Sequence, residues 1–138
     1  MKIIPKKIHQ IYTKGWNALP DSIIASIEEL KKKNAGWEYK FYDNANITDF
    51  ILQHYGDEML NTWLKINPEY GASRADFFRY LMLYVEGGVY LDIKSTCSRP
   101  LNEIIPDDCE LMLCSWQSTD CGQLKQTGRH DELCFLEN

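Results

Sequence analysis

Between Ser73 and Lys94 the sequence writes a helix, a glycine pair and a strand in unbroken succession. Ala75, Phe78, Met82 and Val85 recur at helical spacing and mark a stripe to be buried. Ser73 is placed to cap this helix, and Gly87-Gly88 ends it after Glu86. Val89-Tyr90-Leu91-Asp92-Ile93-Lys94 follows as a β-rich run. A helix that hands over to a strand through two glycines packs back on the sheet which that strand joins.

The same alternation holds on the N-terminal side. Ile3 to Tyr12 reads as a strand anchored by Ile8 and Ile11 and ended at Thr13-Lys14-Gly15. Pro20 and Asp21 open a helix in which Ile23, Ile24, Ile27 and Leu30 keep helical spacing. Lys31-Lys32-Lys33 suits the negative end of its dipole, and Asn34 to Gly36 stops it. In Trp37 to Tyr42, Trp37, Tyr39 and Phe41 share one face of a strand, with Glu38 and Lys40 on the other. Asn46 and Asp49 resemble a capping pair before Ile47, Phe50, Ile51 and His54, with His54 packed in the apolar stripe. Gly56 ends that helix, and Met59, Leu60, Trp63 and Leu64 form another, stopped at Asn67-Pro68. Glu110 to Trp116 is a further strand candidate. Alternating strands and helices predict an α/β fold with a mainly parallel sheet, whose ligands gather outside the carboxyl ends of the strands.

The chain has 138 residues, the size of one ordinary domain. We expect that domain over 1–117 and an acidic, Cys-containing tail over 118–138. An apolar share of 44% excludes a wholly disordered chain. Apolar runs such as Leu81 to Val85 are far short of the ~20 residues a bilayer span needs, so no transmembrane segment is expected. The N-terminus shows no signal-peptide pattern, which points to the cytoplasm. The net charge of −5 is concentrated after residue 100, where 2 basic residues face 8 acidic ones. Such a balance has no general attraction for nucleic acid, so any anionic ligand needs a local site.

The five cysteines, Cys97, Cys109, Cys114, Cys121 and Cys134, are odd in number and form no C-x-x-C pair. Without a secretory signal, disulfides are not expected, and reduced thiols are favoured. A zinc site from Cys109, Cys114, His130 and Cys134 has only loosely fitting spacings.

Asp76 and Arg79 lie three apart and share a helix face. After the glycine turn, Asp92 arrives near the end of the next strand. Carboxylates accept hydrogen bonds from sugar hydroxyls and ligate hard cations, and a guanidinium grips phosphate through two parallel bonds. Together they fit a sugar-phosphate or nucleotide-sugar. The same residues also fit an intrahelical ion pair, a plain turn and a strand-end charge.

Two stretches carry a family resemblance. One is Ile4-Pro5-Lys6-Lys7-Ile8-His9-Gln10-Ile11-Tyr12. The other is Ser73-Arg74-Ala75-Asp76-Phe77-Phe78-Arg79-Tyr80, continuing through Leu83, Gly87-Gly88 and Val89-Tyr90-Leu91-Asp92. In this order they resemble glycosyltransferase family 32, the sugar transferases with a DXD motif. The large clostridial glucosylating toxins are more distantly similar. The resemblance covers residues 3–117. It implies a GT-A fold, Rossmann-like and nucleotide-sugar-binding. It also implies a UDP- or GDP-sugar donor, a glycan or lipid-linked acceptor, Mn2+ or Mg2+, and transfer with retention of anomeric configuration. By position, Tyr12 stacks on the nucleotide base, Asp76 contacts the donor sugar, and Arg79 contacts sugar and diphosphate. Tyr90 joins this donor-binding set. Asp92 is the first Asp of the motif, contacting ribose or sugar and serving as metal ligand. His9 is expected to be structural.

The pattern departs from the family at Lys94, which stands at the motif's second Asp. Two apart on a regular strand, Asp92 and Lys94 face the same side. An ammonium ligates no cation, but as a point charge it can neutralise a departing diphosphate, which makes Lys94 a catalytic candidate. The chain is also short for the family. A non-catalytic or truncated nucleotide-sugar-binding remnant is therefore the alternative to an active transferase.

Overall fold

The computed structural model describes residues 3–113. In chain order these form β1 (Lys7–Ile11), α1 (Asp21–Lys33), β2 (Glu38–Tyr42), α2 (Asn44–Leu64), α3 (Gly71–Glu86), β3 (Val89–Tyr90) and the short α4 (Leu101–Ile104). A 3-10 turn at Trp16–Ala18 follows β1. Among the described residues the sheet has the order β2-β1-β3, with both pairings parallel. The α/β class and the parallel sheet are as the sequence predicts.

β1 is the central strand, and both its faces are covered. Ile8 packs with Leu30, Trp37, Leu91, Leu101 and Ile104 on one side. Ile11 packs with Tyr42, Ile47, Phe50, Trp63, Phe78 and Met82 on the other. A strand buried on both faces is typical of parallel sheets, where crossover helices cover each side. On the second side, Tyr42, Phe50 and Phe78 meet edge to face, with ring centroids 5.2–6.2 Å apart.

Several boundaries differ from expectation. β1 starts at Lys7 rather than Ile3, because Pro5 has no N–H for the ladder and its carbonyl instead takes the Lys7 amide at 2.7 Å. Pro20 is the N-cap of α1 rather than a residue of its first turn. The cap of α2 is Asp43, not Asn46. Asp43 Oδ1 accepts the Asn46 amide at 2.9 Å, and Asn46 Oδ1 accepts the Asp43 amide in return. Gly56 interrupts α2 as expected, with φ +80° and ψ −175°. His54 is exposed, its ring 4.4 Å from that of Phe50.

α3 begins two residues before Ser73. Its buried line is Arg74, Phe78 and Met82, while Val85 is exposed. Arg74 is buried because its Nε and Nη2 both donate to the Ile66 carbonyl, at 3.0 and 2.8 Å. Its guanidinium also lies 4.5 Å from the Trp63 ring, whose Nε1 donates to the Arg74 carbonyl. The arginine thus ties the end of α2 to the start of α3.

Residues 110–113 are not a strand, and the rest of the Glu110–Trp116 candidate lies outside the described residues. So do the 118–138 tail and Cys114, His130 and Cys134 of the zinc set. Cys109 is half-buried, with Sγ 3.4 Å from the Leu111 carbonyl. No helix among the described residues is long and apolar enough to cross a membrane.

Candidate functional site

The site rests on the junction between α3 and β3. Gly87 and Gly88 turn the chain with φ +62° and +91°. The turn lies directly on β1, where a Cβ on Gly88 would stand 2.8 Å from His9 Nε2 and 2.8 Å from the Lys7 carbonyl oxygen. His9 is fully buried, and its Nε2 lies 2.9 Å from the Gly87 carbonyl. A carbonyl only accepts, so Nε2 carries the proton, and Nδ1 accepts from the Tyr42 hydroxyl at 3.2 Å. Beside this junction Glu86 accepts from Lys7, and from Lys40 at 3.1 Å. His9 is therefore structural, as expected.

This junction sets a pH dependence of stability. Burial, with the Lys40 and Lys7 charges assisting, lowers the His9 pKa from 6.5 to about 4, against the opposing pull of the Gly87 bond and Glu86. As pH falls below 6.5 the unfolded chain takes up this proton while the folded chain does not, so stability is lost down to about pH 4. The hydrogen bond from Lys7 holds the Glu86 carboxyl below its usual range, which adds a loss in the same direction at lower pH still. The His9 share is about 2 kcal/mol at about pH 5 relative to neutrality. We expect the Tm to fall by roughly 5–10 °C between pH 7.5 and 5. In His9→Gln, whose amide can still donate to Gly87, that slope should flatten. An unchanged slope would place the acid sensitivity elsewhere.

β3 leads to the carboxyl edge of the sheet. There the Arg79 guanidinium gathers the predicted residues. Its Nη1 lies 3.2 Å from Asp76 Oδ1. Its Cζ is 5.1 Å from the Tyr80 ring centroid and 5.6 Å from that of Tyr90. The Tyr90 hydroxyl donates to Asp92 Oδ1 at 2.9 Å. Burial works against the charged Arg79, but the Tyr80 hydroxyl and the Asp76 carboxylate outweigh it, and its pKa is raised. Burial, then the Asp92 charge, raises the Tyr90 pKa, so the phenol stays protonated and able to donate. The Asp76–Arg79 ion pair is thus real, and β3 adds Tyr90 and Asp92 to it.

Arg79, Tyr80, Tyr90 and Asp92 line one part of a cleft of about 700 Å³, whose other lining includes Leu83, Val89 and Leu111. Tyr12 lies just past the end of β1, half-buried, its amide donating to the Tyr42 carbonyl at 2.9 Å. Among the described residues no hydrogen bond or ring contact links Tyr12 to the Arg79 cluster.

The strand expected to reach Lys94 is shorter than its composition suggests. Only Val89–Tyr90 is strand, and the chain turns at 92–95, where the Ser95 amide donates to the Asp92 carbonyl at 2.8 Å. The rule that places residues two apart on one side of a strand does not apply across this turn. Lys94 is exposed and is not among the residues lining the cleft.

The residues described do not make a cation cage. No three of His, Cys, Asp and Glu gather closely enough among them to hold a metal ion. Asp92 supplies one carboxylate, and Lys94 follows where a second would help.

Spacing did not reveal the roles of Tyr80, Arg74 and Gln10. Gln10 carried a signal all the same. It is a polar residue between Ile8 and Ile11 on a strand anchored in the core, and such a residue needs buried partners.

The sheet is open and parallel, with polar residues gathered past its carboxyl ends, and the fold is of the GT-A glycosyltransferase type. The solved PaToxG glycosyltransferase shares it, with a TM-score of 0.58 and 19% identity over 73% of this chain and 46% of its own. A family profile described as "Glycosyltransferase sugar-binding region containing DXD motif" matches residues 20–111, and the chain belongs to that family. An uncharacterized glycosyltransferase of Acanthamoeba polyphaga mimivirus is 33% identical over 103 residues, which is 75% of this chain and 40% of that protein. Inositol phosphoceramide mannosyltransferase 3 of Schizosaccharomyces pombe is 29% identical over 105 residues, 74% of this chain and 27% of its own. The initiation-specific alpha-1,6-mannosyltransferase of Candida albicans is 29% identical over 108 residues, 75% and 28% respectively. The chain therefore spans well under half the length of these relatives.

Proposed function

We propose that this chain binds a nucleotide-sugar donor and transfers its sugar, with retention, to a glycan or lipid-linked acceptor. The observation that carries this reading is the linked set at the cleft: Arg79 pairs with Asp76 and lies against the Tyr90 ring, and the Tyr90 hydroxyl holds Asp92, with Arg79, Tyr90 and Asp92 lining the cleft itself. Arg79 meets the diphosphate and stabilises the charge that grows on it as the glycosidic bond breaks. Asp76 and Asp92 accept from sugar or ribose hydroxyls and so orient the sugar. Tyr12 stacks on the base. We assign no protein nucleophile. Two of the relatives are named for mannosyl transfer, so mannose nucleotides head the set of UDP- and GDP-sugars to be tried.

The test is thermal stabilisation by each donor, in Mn2+ and in EDTA. A ligand that binds only the folded state raises stability by about 2.7 kcal/mol at a hundredfold excess over Kd. We expect one donor class to shift the Tm, and Asp92→Ala to abolish the shift. At least half of the shift should survive in EDTA, because Arg79 rather than a cation cage faces the diphosphate. Complete loss in EDTA with full return on Mn2+ would overturn the metal part, and no shift from any donor would overturn the whole. The placement of Lys94 outside the cleft favours a second reading, a binder without turnover. Release of nucleoside diphosphate on addition of acceptor separates the two.

A further inference from the structure

β3 is too short to hold Asp92 by itself. It has two residues and pairs with β1 at only two positions, Ile8 with Val89 and His9 with Tyr90. The Leu91 amide adds one more bond, to the His9 carbonyl at 3.0 Å. Beyond that the main chain leaves the ladder and turns. Yet Asp92 lies just past this point, where its carboxylate must stand at a fixed place to meet a ligand.

Gln10 supplies the missing constraint. Its side chain is fully buried, and its Nε2 donates to the Asp92 carbonyl at 3.0 Å. Its Oε1 accepts from the Tyr39 hydroxyl at 2.9 Å. An amide has nearly equivalent ends, and the Asp92 carbonyl fixes which one faces it: a carbonyl only accepts, so it takes Nε2 and leaves Oε1 to the Tyr39 hydroxyl. The chain of bonds crosses the whole sheet, from Tyr39 on β2 through Gln10 on β1 to the end of β3. His9, the neighbour on the opposite face of β1, holds the start of the same strand through Gly87. Two consecutive side chains thus grip β3 from both faces, one at each end. The side chain of Asp92 is then aimed by Tyr90.

We propose that Gln10 is the positioning residue of Asp92, with Tyr39 acting through it. The functional part of this proposal rests on the reading of Asp92 as a donor contact. The Gln10 amide sets the main-chain position of Asp92, and Tyr90 sets the carboxylate on that base. Removing the Gln10 donor leaves the Asp92 carbonyl with the Ser95 amide alone and frees the turn at 92–95.

The test uses Gln10→Met, which keeps the length and removes both polar ends, Tyr39→Phe, and the double variant. Two readouts are taken: donor affinity by titration, and amide hydrogen exchange of the ligand-free protein. We expect exchange at 92–95 to quicken at least about tenfold in Gln10→Met, with α1 unchanged, and donor affinity to fall about tenfold or more. Tyr39→Phe should move both readouts the same way by a smaller factor, about threefold. The double variant should match Gln10→Met alone, because among the described residues the hydrogen bonds that link Tyr39 to Asp92 run through Gln10. A merely structural role would speed exchange throughout and leave the affinity of the folded fraction unchanged, and that result would overturn the proposal. If Gln10→Met does not fold, Tyr39→Phe decides on the same two readouts. If the wild-type chain binds no donor, the functional reading falls, and the exchange readout still decides whether Gln10 holds the turn.

Discussion

Replacing Arg79 by alanine is expected to weaken nucleotide-sugar binding by about 10²- to 10³-fold while leaving the fold nearly as stable as before. The two effects separate because they draw on different interactions. A diphosphate gripped by a guanidinium receives two charge-assisted hydrogen bonds, each of about 1.5–3 kcal/mol, and every 1.4 kcal/mol is about tenfold in affinity. Within the folded chain, by contrast, Arg79 makes an ion pair with Asp76, whose side chain is 60% exposed. A pair so exposed is worth about 0.5 kcal/mol, and stacking on Tyr80 and Tyr90 adds about as much. Stability should therefore change by only about 1 kcal/mol. Arg79→Lys keeps the charge but loses the planar fork and the stacking, so it should recover only part of the affinity. Titration of the donor with a parallel Tm measurement checks both. Affinity within about threefold of wild type in Arg79→Ala would leave Asp76–Arg79 as a helix ion pair and nothing more.

The alternation of strand and helix was legible because the apolar residues report it directly. Ile8 and Ile11 sit on opposite faces of β1, and each found a separate core. The boundaries were less legible wherever a tertiary partner replaced a local one. Arg74 counts as polar in any periodicity, so the stripe was drawn through Ala75 and Val85. The Trp63 ring and the Ile66 carbonyl make Arg74 a core residue, and this rotates the buried line of α3 by one position. Ser73 has a side chain that suits a cap, but α3 begins at Gly71, where a Cβ would stand 2.7 Å from Thr13 Oγ1. The run Val89 to Lys94 has strand composition throughout. Its second half is a turn because the Asp92 carbonyl is taken by the Ser95 amide and by Gln10, neither of which shows in β propensity.

In the candidate site, the meeting of Asp76 and Arg79 followed from helical spacing, and the approach of Asp92 from the glycine turn. The two tyrosines around the guanidinium did not follow, because ring orientation depends on packing that no spacing encodes. The placement of Lys94 on one side with Asp92 assumed a regular strand, and it fell with the strand.

Gly88→Ala is expected to destabilise the chain by at least about 4 kcal/mol, a large part of the 5–15 kcal/mol that holds most domains folded. Two costs combine. The backbone sits at φ +91°, which L side chains rarely adopt and which costs about 1–3 kcal/mol. The new methyl would also stand 2.8 Å from the Lys7 carbonyl oxygen and 2.9 Å from Lys7 Cβ. Neither can retreat cheaply, since Lys7 opens the central strand and is bound to Glu86. The third contact, His9 Nε2, can move only by giving up the Gly87 carbonyl. Two other glycines divide these costs. Gly56→Ala meets nothing within 4 Å but keeps a φ of +80°, so it should lose only the backbone share of about 1–3 kcal/mol. Gly36→Ala meets nothing and has no positive φ, so it should be neutral or slightly stabilising. Denaturant melts of the three variants should rank Gly88, Gly56, Gly36 from most to least destabilised. If Gly88→Ala falls level with Gly56→Ala, the close docking of the turn on β1 is wrong. The clamp that carries Tyr90 and Asp92 to the cleft would then need another support.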